Sequence, residues 1–406
     1  MAESVSLLGK VKKTLYHHYR TSPLFDGEAR QEIKNDGDLS QRQVMTDAVH
    51  LKAAIDWICR AHDTTGRQGV ARGYAAAWNF HFDAKGWQPA YPETTGYIIP
   101  TLMDAAQRLD NPEFTHRALE MADWEIAVQM PNGAVMGGTV DRPPSPAVFN
   151  TGQVILGWER AYRESGEKRY LDAACRAADY LISVQETEGH WRTGNSQFAD
   201  AKTTTYNVRV GWSLILLGQT ANNAAYIEAG KRNVDSAIAQ QNENGWFRSN
   251  CLSDPGAPLL HTISYAIEGI LGAALALDHT PYLKRAQLAA DALLTTIDDQ
   301  GFIPGRIDGN WQGTVDWACL TGSSQLAAQL LLLASKLDRA DYADAAARLI
   351  TFVKRTQNLH SNNPGILGGI KGSYPFDGGY GRYELLNWAA KFYIDALLLQ
   401  QQWQNR

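Results

Sequence analysis

The sequence predicts an all-α protein, an (α/α)6 barrel: six helical hairpins closed in a ring, with long loops, and room for short hairpins, on one face. Three observations predict it. A segment repeats along the chain, two kinds of helix alternate, and the connections between them alternate in length. The repeat appears in Asn111-Pro-Glu-Phe-Thr-His-Arg-Ala-Leu-Glu-Met-Ala-Asp-Trp and in Glu167-Lys-Arg-Tyr-Leu-Asp-Ala-Ala-Cys-Arg-Ala-Ala-Asp-Tyr. It returns in the segments that open at Ala224, Pro281 and Ala340. Each copy starts with a polar turn, reaches an aromatic residue and continues as a helix with one apolar stripe. The copies end on related phrases, among them Val128-Gln-Met-Pro-Asn-Gly, Val184-Gln-Glu-Thr-Glu-Gly and Gln240-Gln-Asn-Glu-Asn-Gly. The period is about 55–60 residues, longer than the common helical repeats.

These amphipathic segments, with 49–61 as the first, are read as six outer helices. Between them lie segments at 96–109, 152–162, 208–219, 263–277, 322–337 and 385–399. Several are apolar almost all round, as in Ile267-Glu-Gly-Ile-Leu-Gly-Ala-Ala-Leu-Ala-Leu. A helix without a wide polar face is surrounded by protein, so these are the inner helices. Six pairs suit closure better than an open solenoid. Residues 1–45 are expected to form an arm packed on a single barrel domain, 46–406.

Composition narrows the function classes. The 406 residues are 44% hydrophobic and 20% charged, with 12 Trp and 17 Tyr, which excludes disorder. The net charge of −5 gives no general basic surface for nucleic acid. No apolar run reaches the ~20 residues of a membrane span, and no apolar stretch follows the N-terminal lysines as a secretory signal requires. A cytoplasmic protein is expected, its four separated cysteines reduced. No histidine or cysteine spacing marks a metal site, and no cofactor is expected. The oligomeric state is not legible. The aromatic content suits a ligand with flat, partly apolar faces, such as a sugar.

Connection lengths assign the faces. Inner-to-outer turns are short, as at Asp110-Asn-Pro, whereas outer-to-inner connections are long, as at 63–92 and 358–382. Long loops on one face are where binding groups collect. Six inner-helix N-termini open on that face, and their free N–H groups and dipoles favour an anion. The loops also repeat an arginine after the glycine that ends each outer helix: Arg72, Arg192, Arg248 and Arg306. Arg209 and Arg382 lie near inner-helix starts. Together they read as a rim for carboxylate or phosphate, because guanidinium offers a rigid bidentate fork. The bland alternative is that each caps a helix or pairs within its own repeat.

Candidate chemistry lies at the same helix starts. In Gly86-Trp-Gln-Pro-Ala-Tyr-Pro-Glu-Thr-Thr-Gly96, Pro92 suits the first helical turn and Glu93 follows it at the mouth. There the helix end is expected to lower the Glu93 pKa, as a base or nucleophile needs. His261, Tyr265 and Glu268 fall at i, i+4 and i+7, on one stripe. Glu268, embedded in apolar sequence, suits a general acid. Trp87, Asn150, Gln153, Tyr206, Trp317, Tyr383, Glu384 and Trp388 complete the expected substrate-binding set with the arginines. Glu384 and Lys391 are alternatively a simple ion pair.

The six hairpins with Gln241-Asn-Glu-Asn-Gly-Trp-like turns resemble two superfamilies. One is the terpenoid-cyclase and prenyltransferase toroids, whose Asp-rich or zinc-binding motifs are not found here. The other is the six-hairpin carbohydrate-active enzymes: glycoside hydrolases, polysaccharide lyases and the C-terminal domain of glucuronyl C5-epimerases. Tyr91-Pro-x-Thr-Thr, opening an inner helix, is similar to the epimerase segment that contributes an active-site tyrosine. The resemblance implies an enzyme acting on an acidic, uronic-acid-containing oligo- or polysaccharide. A hydrolase would use Glu93 and Glu268 as paired carboxylates. A lyase or epimerase would use Tyr91, His261 or Tyr265 as bases. A terpenoid-cyclase-like protein and a non-catalytic glycan-binding solenoid are the remaining alternatives.

Overall fold

The computed structural model describes residues 26–39, 42–195 and 204–406, and thirteen α-helices lie among them. After α1 (Gly27–Asp36), the outer helices are α2 (Asp47–Asp63), α4 (Pro112–Val128), α6 (Lys168–Ser183), α8 (Ala224–Ile238), α10 (Thr280–Leu294) and α12 (Ala340–Thr356). The inner helices are α3 (Pro92–Leu109), α5 (Val148–Ser165), α7 (Val208–Thr220), α9 (Leu260–Leu277), α11 (Leu320–Leu337) and α13 (Asn387–Gln404). Each inner helix packs on the next, and α13 packs on α3 and α2, so the ring is closed and the open superhelix is excluded.

The two helix types bury what their patterns dictate. On α6, Tyr170, Ala173, Ala174, Ala177, Ala178 and Leu181 form one fully buried stripe. On α11, every residue from Leu320 to Leu331 is buried. Among the described residues one helix, α9, is long and apolar enough to cross a membrane by length and composition. It is an inner helix with most of that stretch buried, and a core helix passes the same test.

The repeated Gln-x-x-x-Gly phrase has a mechanical role. Gln129, Gln185 and Gln241 each donate twice, to the carbonyl of the glycine four residues on and to a carbonyl of the next outer helix, at Ala173, Ala229 and Arg285. The glycine lies against that same helix. A Cβ on Gly189 (φ +89°) would sit 2.3 Å from the Arg232 carbonyl, so both its conformation and its neighbour require glycine. Gln357 and Gly368 repeat the contact against His50 and Ala53 of α2, which seals the ring. A second stitch recurs where Tyr170, Tyr226, Tyr282 and Tyr342 donate to Asp123, Asp179, Asp235 and Asp291 of the preceding outer helix.

The short strands sit on the long-loop face. β1 (Gly73–Asn79) pairs antiparallel with β2 (Ala84–Trp87) and with β5 (Glu384–Leu386), with Tyr74 opposite Trp87 and Ala75 opposite Glu384. A second antiparallel pair joins β3 (Ala318–Cys319) to β4 (Ser373–Tyr374). Of the N-terminal 45 residues, those before Asp26 lie outside the described residues. Helix α1 lies on the long 358–382 connection, where buried Lys371 pairs with Asp36 at 2.6 Å and Glu32 at 3.2 Å.

Candidate active site

The long-loop face opens into a cavity of about 540 Å³ on the barrel axis. Its walls come from the first turns of α3, α5 and α9, the short turn Thr205–Asn207 before α7, and the segment entering α13. Aromatic side chains dominate these walls: Tyr91, Tyr97, Phe149, Tyr206, Tyr265, Tyr380 and Trp388. Three guanidiniums, Arg72, Arg142 and Arg306, face two carboxyl groups, Glu93 and Glu384.

Glu93 is the distinctive group. Pro92 starts α3 and places it in the first turn at the cavity floor. The Tyr91 hydroxyl donates to its Oε2 at 2.5 Å. Burial outweighs that bond and the nearby Arg209 and Arg72, and pushes the Glu93 carboxyl up to about 7. The direction is opposite to the one expected from the helix end alone. Desolvation of the carboxylate among aromatic rings exceeds the fraction of a charge that a helix terminus supplies. Glu93 is therefore suited to donate a proton near neutral pH.

Glu384 is bound differently. From β5 it accepts from Arg72 at 2.9 Å, from Asn79 at 2.6 Å and from the Gln88 amide, and it is almost fully buried. This network fixes Arg72, whose guanidinium lies 4.9 Å from the Trp388 ring and 5.1 Å from Phe82. Lys391 is not its partner, since it pairs with Asp395 at 2.6 Å at the other end of the barrel.

His261 lines the cavity with its ring 4.3 Å from that of Tyr265, and its Nδ1 lies 2.5 Å from Gln325 Oε1. Burial lowers its pKa to about 4 despite the Gln325 contact, so the imidazole is neutral at pH 7.

Ten expected residues thus meet in one cavity: Tyr91, Glu93, His261, Tyr265, Arg72, Asn150, Tyr206, Arg306, Glu384 and Trp388. The others lie elsewhere. Glu268 and Arg209 line a second cavity, of about 840 Å³, at the opposite end of the axis. Arg209 is fully buried between the two, donating to Gln153 and, at 2.8 Å, to Glu268, with the rings of Tyr97, Tyr265 and Phe392 around it. Glu93 and Glu268 are therefore separated by an Arg209 layer and do not face one space. Gln153 is spent on Arg209 and does not reach the mouth. Arg192 pairs with Glu186 at 3.1 Å, and Arg248 donates to the Ala239 carbonyl at the end of α8, so these two follow the within-repeat alternative. Trp87 packs on Trp57 and Tyr74, and Trp317 packs against Gly305 and Gly379. Tyr383 is buried against Phe376, and exposed Arg382 donates to the Tyr383 hydroxyl.

The residues missed lie on the β1–β2 hairpin and on the loop before α5. Asn79, His81 and Phe82 overhang the cavity, and Arg142 donates to the His81 carbonyl with its guanidinium 5.6 Å from the Phe82 ring. The aromatic alternation in Asn79-Phe-His-Phe82 is the one signal that marks them.

No protein-family model and no curated protein sequence matches the chain. Solved structures do. A heparin-specific unsaturated glucuronyl hydrolase superposes with a TM-score of 0.69 at 14% identity, covering 88% of this chain and 97% of that one. An unsaturated glucuronyl hydrolase from Bacillus sp. GL1, responsible for the degradation of glycosaminoglycan, gives 0.67 at 14% identity, covering 87% and 96%. An alpha-amylase from Clostridium perfringens gives 0.62 at 13% identity, covering 86% and 97%. The chain has the fold of these hydrolases: a closed barrel of six helical hairpins.

Proposed function

We propose that this protein is a glycoside hydrolase that acts on a uronic-acid-bearing oligosaccharide in the mouth cavity, with Glu93 as the proton donor. The observation that carries the reading is a carboxyl held near pKa 7 on the floor of an aromatic cavity beside three guanidiniums. Each part answers a need of that reaction. Aromatic rings stack on sugar faces. Arg72, Arg142 and Arg306 give the cavity more positive than negative charge, which favours a sugar carboxylate. A neutral Glu93 can protonate the leaving oxygen of a glycosidic bond. Glu384 keeps Arg72 in place. The glucuronyl substrates named for two similar structures, and the amylase named for a third, support a hydrolase and a uronate.

The pairing of Glu93 with Glu268 is given up, because Glu268 faces the other cavity. The test is to incubate the protein with uronate-terminated oligosaccharides and their carboxyl-reduced analogues. Both new reducing ends and ultraviolet absorbance are followed. The reading expects new reducing ends, no gain of unsaturated product, and at least ~10-fold preference for the acidic substrate, the value of one charge-assisted hydrogen bond. Gain of an absorbing product moves the chemistry to elimination with Tyr91, His261 or Tyr265 as base. Equal cleavage of both substrates removes the uronate.

A further inference from the structure

His261 is tied to the far end of the barrel by a chain of side chains. Its Nδ1 meets Gln325 Oε1 at 2.5 Å; Gln325 Nε2 lies 3.5 Å from Glu268 Oε2; and Glu268 Oε1 accepts from Arg209 at 2.8 Å. The far end fixes the near end. Were the Gln325 amide turned over, its oxygen would face the Glu268 carboxylate, acceptor against acceptor. Glu268 therefore holds the NH2 toward itself and the oxygen toward His261. A carbonyl oxygen can only accept, so Nδ1 must carry the proton. Nε2, which has no hydrogen bond to a described residue, is then left as a lone pair on a ring that lines the cavity.

We infer that His261 is the proton acceptor of the mouth cavity, and that Gln325 and Glu268 are positioning residues that set its tautomer from the opposite side of the Arg209 layer. The acceptor role rests on the hydrolase reading above; the tautomer does not. In the step, Nε2 takes a proton from a water whose oxygen bonds to the anomeric carbon. The bond from that carbon to the glycosidic oxygen breaks, and the departing oxygen takes the Glu93 proton. His261 ends as imidazolium and Glu93 as carboxylate, and exchange with solvent restores both. An imidazole suits this place better than a second carboxylate, because a buried anion would repel the uronate. With its pKa near 4, the ring is about as basic as an ordinary carboxylate.

The experiment is nitrogen NMR of the 15N-histidine-labelled full chain, with His261 assigned by comparison with His261→Asn. The inference expects Nδ1 protonated and Nε2 bare in the wild type; the opposite tautomer overturns it. Glu268→Gln keeps an acceptor for Arg209 but turns an NH2 toward Gln325. The Gln325 amide should then reverse and offer its NH2 to Nδ1, so that the proton moves to Nε2. Unchanged nitrogen shifts in that variant overturn the positioning role. If Glu268→Gln does not fold, Gln325→Leu serves, and it should give a mixture of tautomers where the wild type has one. For the acceptor role, Glu268→Gln should lower kcat at least ~10-fold with KM little changed, since it touches no part of the mouth. A tautomer as described in a protein that cleaves no glycoside leaves the positioning standing and removes the hydrolase. A tautomer of the other kind in an active hydrolase does the reverse.

Discussion

The barrel has two cavities on one axis, and they are unlike. The lower is larger, about 840 Å³ against about 540 Å³, and is lined by more charge. Yet, exposed Arg108 apart, its charges are matched: Arg160 with Asp104, Arg163 with Glu159, Lys391 with Asp395, Arg209 with Glu268. The mouth is smaller and more aromatic, and holds Glu93, a carboxyl that no cation among the described residues pairs with at salt-bridge distance and that burial keeps protonatable near neutrality. Volume alone does not distinguish a site from a gap; what sets the mouth apart is a protonatable carboxyl among aromatic rings and guanidiniums.

The sharpest way to break that contrast is Glu93→Gln. It should lower kcat ~10²–10⁴-fold, the worth of a positioned proton donor, while leaving the fold intact. The same change carries a stability signature. The Glu93 value is raised on folding, so its contribution to stability is complete below the ordinary 4.5 and is lost as pH rises through about 7. Buried His261 and His62, whose values are lowered, pull the wild-type curve the other way, so chemical denaturation from pH 4 to 8 should show that decline in the stability of the wild type minus that of Glu93→Gln.

Smaller effects sharpen the comparison. Arg306→Ala, at the mouth, should weaken a uronate ligand ~10–100-fold, as loss of a charge-assisted contact does, and should leave the carboxyl-reduced ligand nearly unaffected. Calorimetry with the two ligands separates these outcomes. Affinity for the acidic ligand should also fall with added salt. Asp104→Asn removes an ion pair of the lower cavity whose carboxylate is half exposed. It should change kcat less than ~2-fold and cost under ~1 kcal/mol, the value of an exposed pair. A large loss of activity in that variant would transfer function to the lower cavity.

How far the sequence discloses this depends on what repeats. The ring is legible because each hairpin must make the same contacts to its neighbour, so Gln129, Gln185 and Gln241 recur with their glycines and betray the period. The mouth is legible where it inherits the period: helix N-termini place Glu93, Asn150 and His261 without reference to tertiary structure. It is not legible where the repeat is interrupted. Gly73-Tyr-Ala-Ala-Ala-Trp is buried along most of its length and lacks the polar–apolar alternation that marks a strand, so the hairpin that carries Asn79, His81 and Phe82 over the cavity left only the short aromatic alternation at its tip.

Glu268 shows the other limit. Helical periodicity rightly puts it on the stripe of His261 and Tyr265, but seven residues advance about 10 Å along the axis. That is enough to pass from one cavity, through the Arg209 layer, into the next. Spacing gives the face of a helix; it does not give the depth at which a neighbouring helix inserts a side chain. Among the four repeated arginines, Arg72, Arg192 and Arg248 each follow their glycine by three residues and Arg306 by five, yet it is Arg72 and Arg306 that line the mouth.

The central claim is that a protonated Glu93 drives the reaction, and the pH dependence of kcat/KM on a uronate-terminated oligosaccharide tests it most directly. The account predicts a rate that falls as pH rises through about 7, where the Glu93 proton is lost. It also predicts that this limb is absent from whatever activity remains in Glu93→Gln. A wild-type rate that stays level or increases from pH 7 to 9, or a limb that survives in Glu93→Gln, would contradict it.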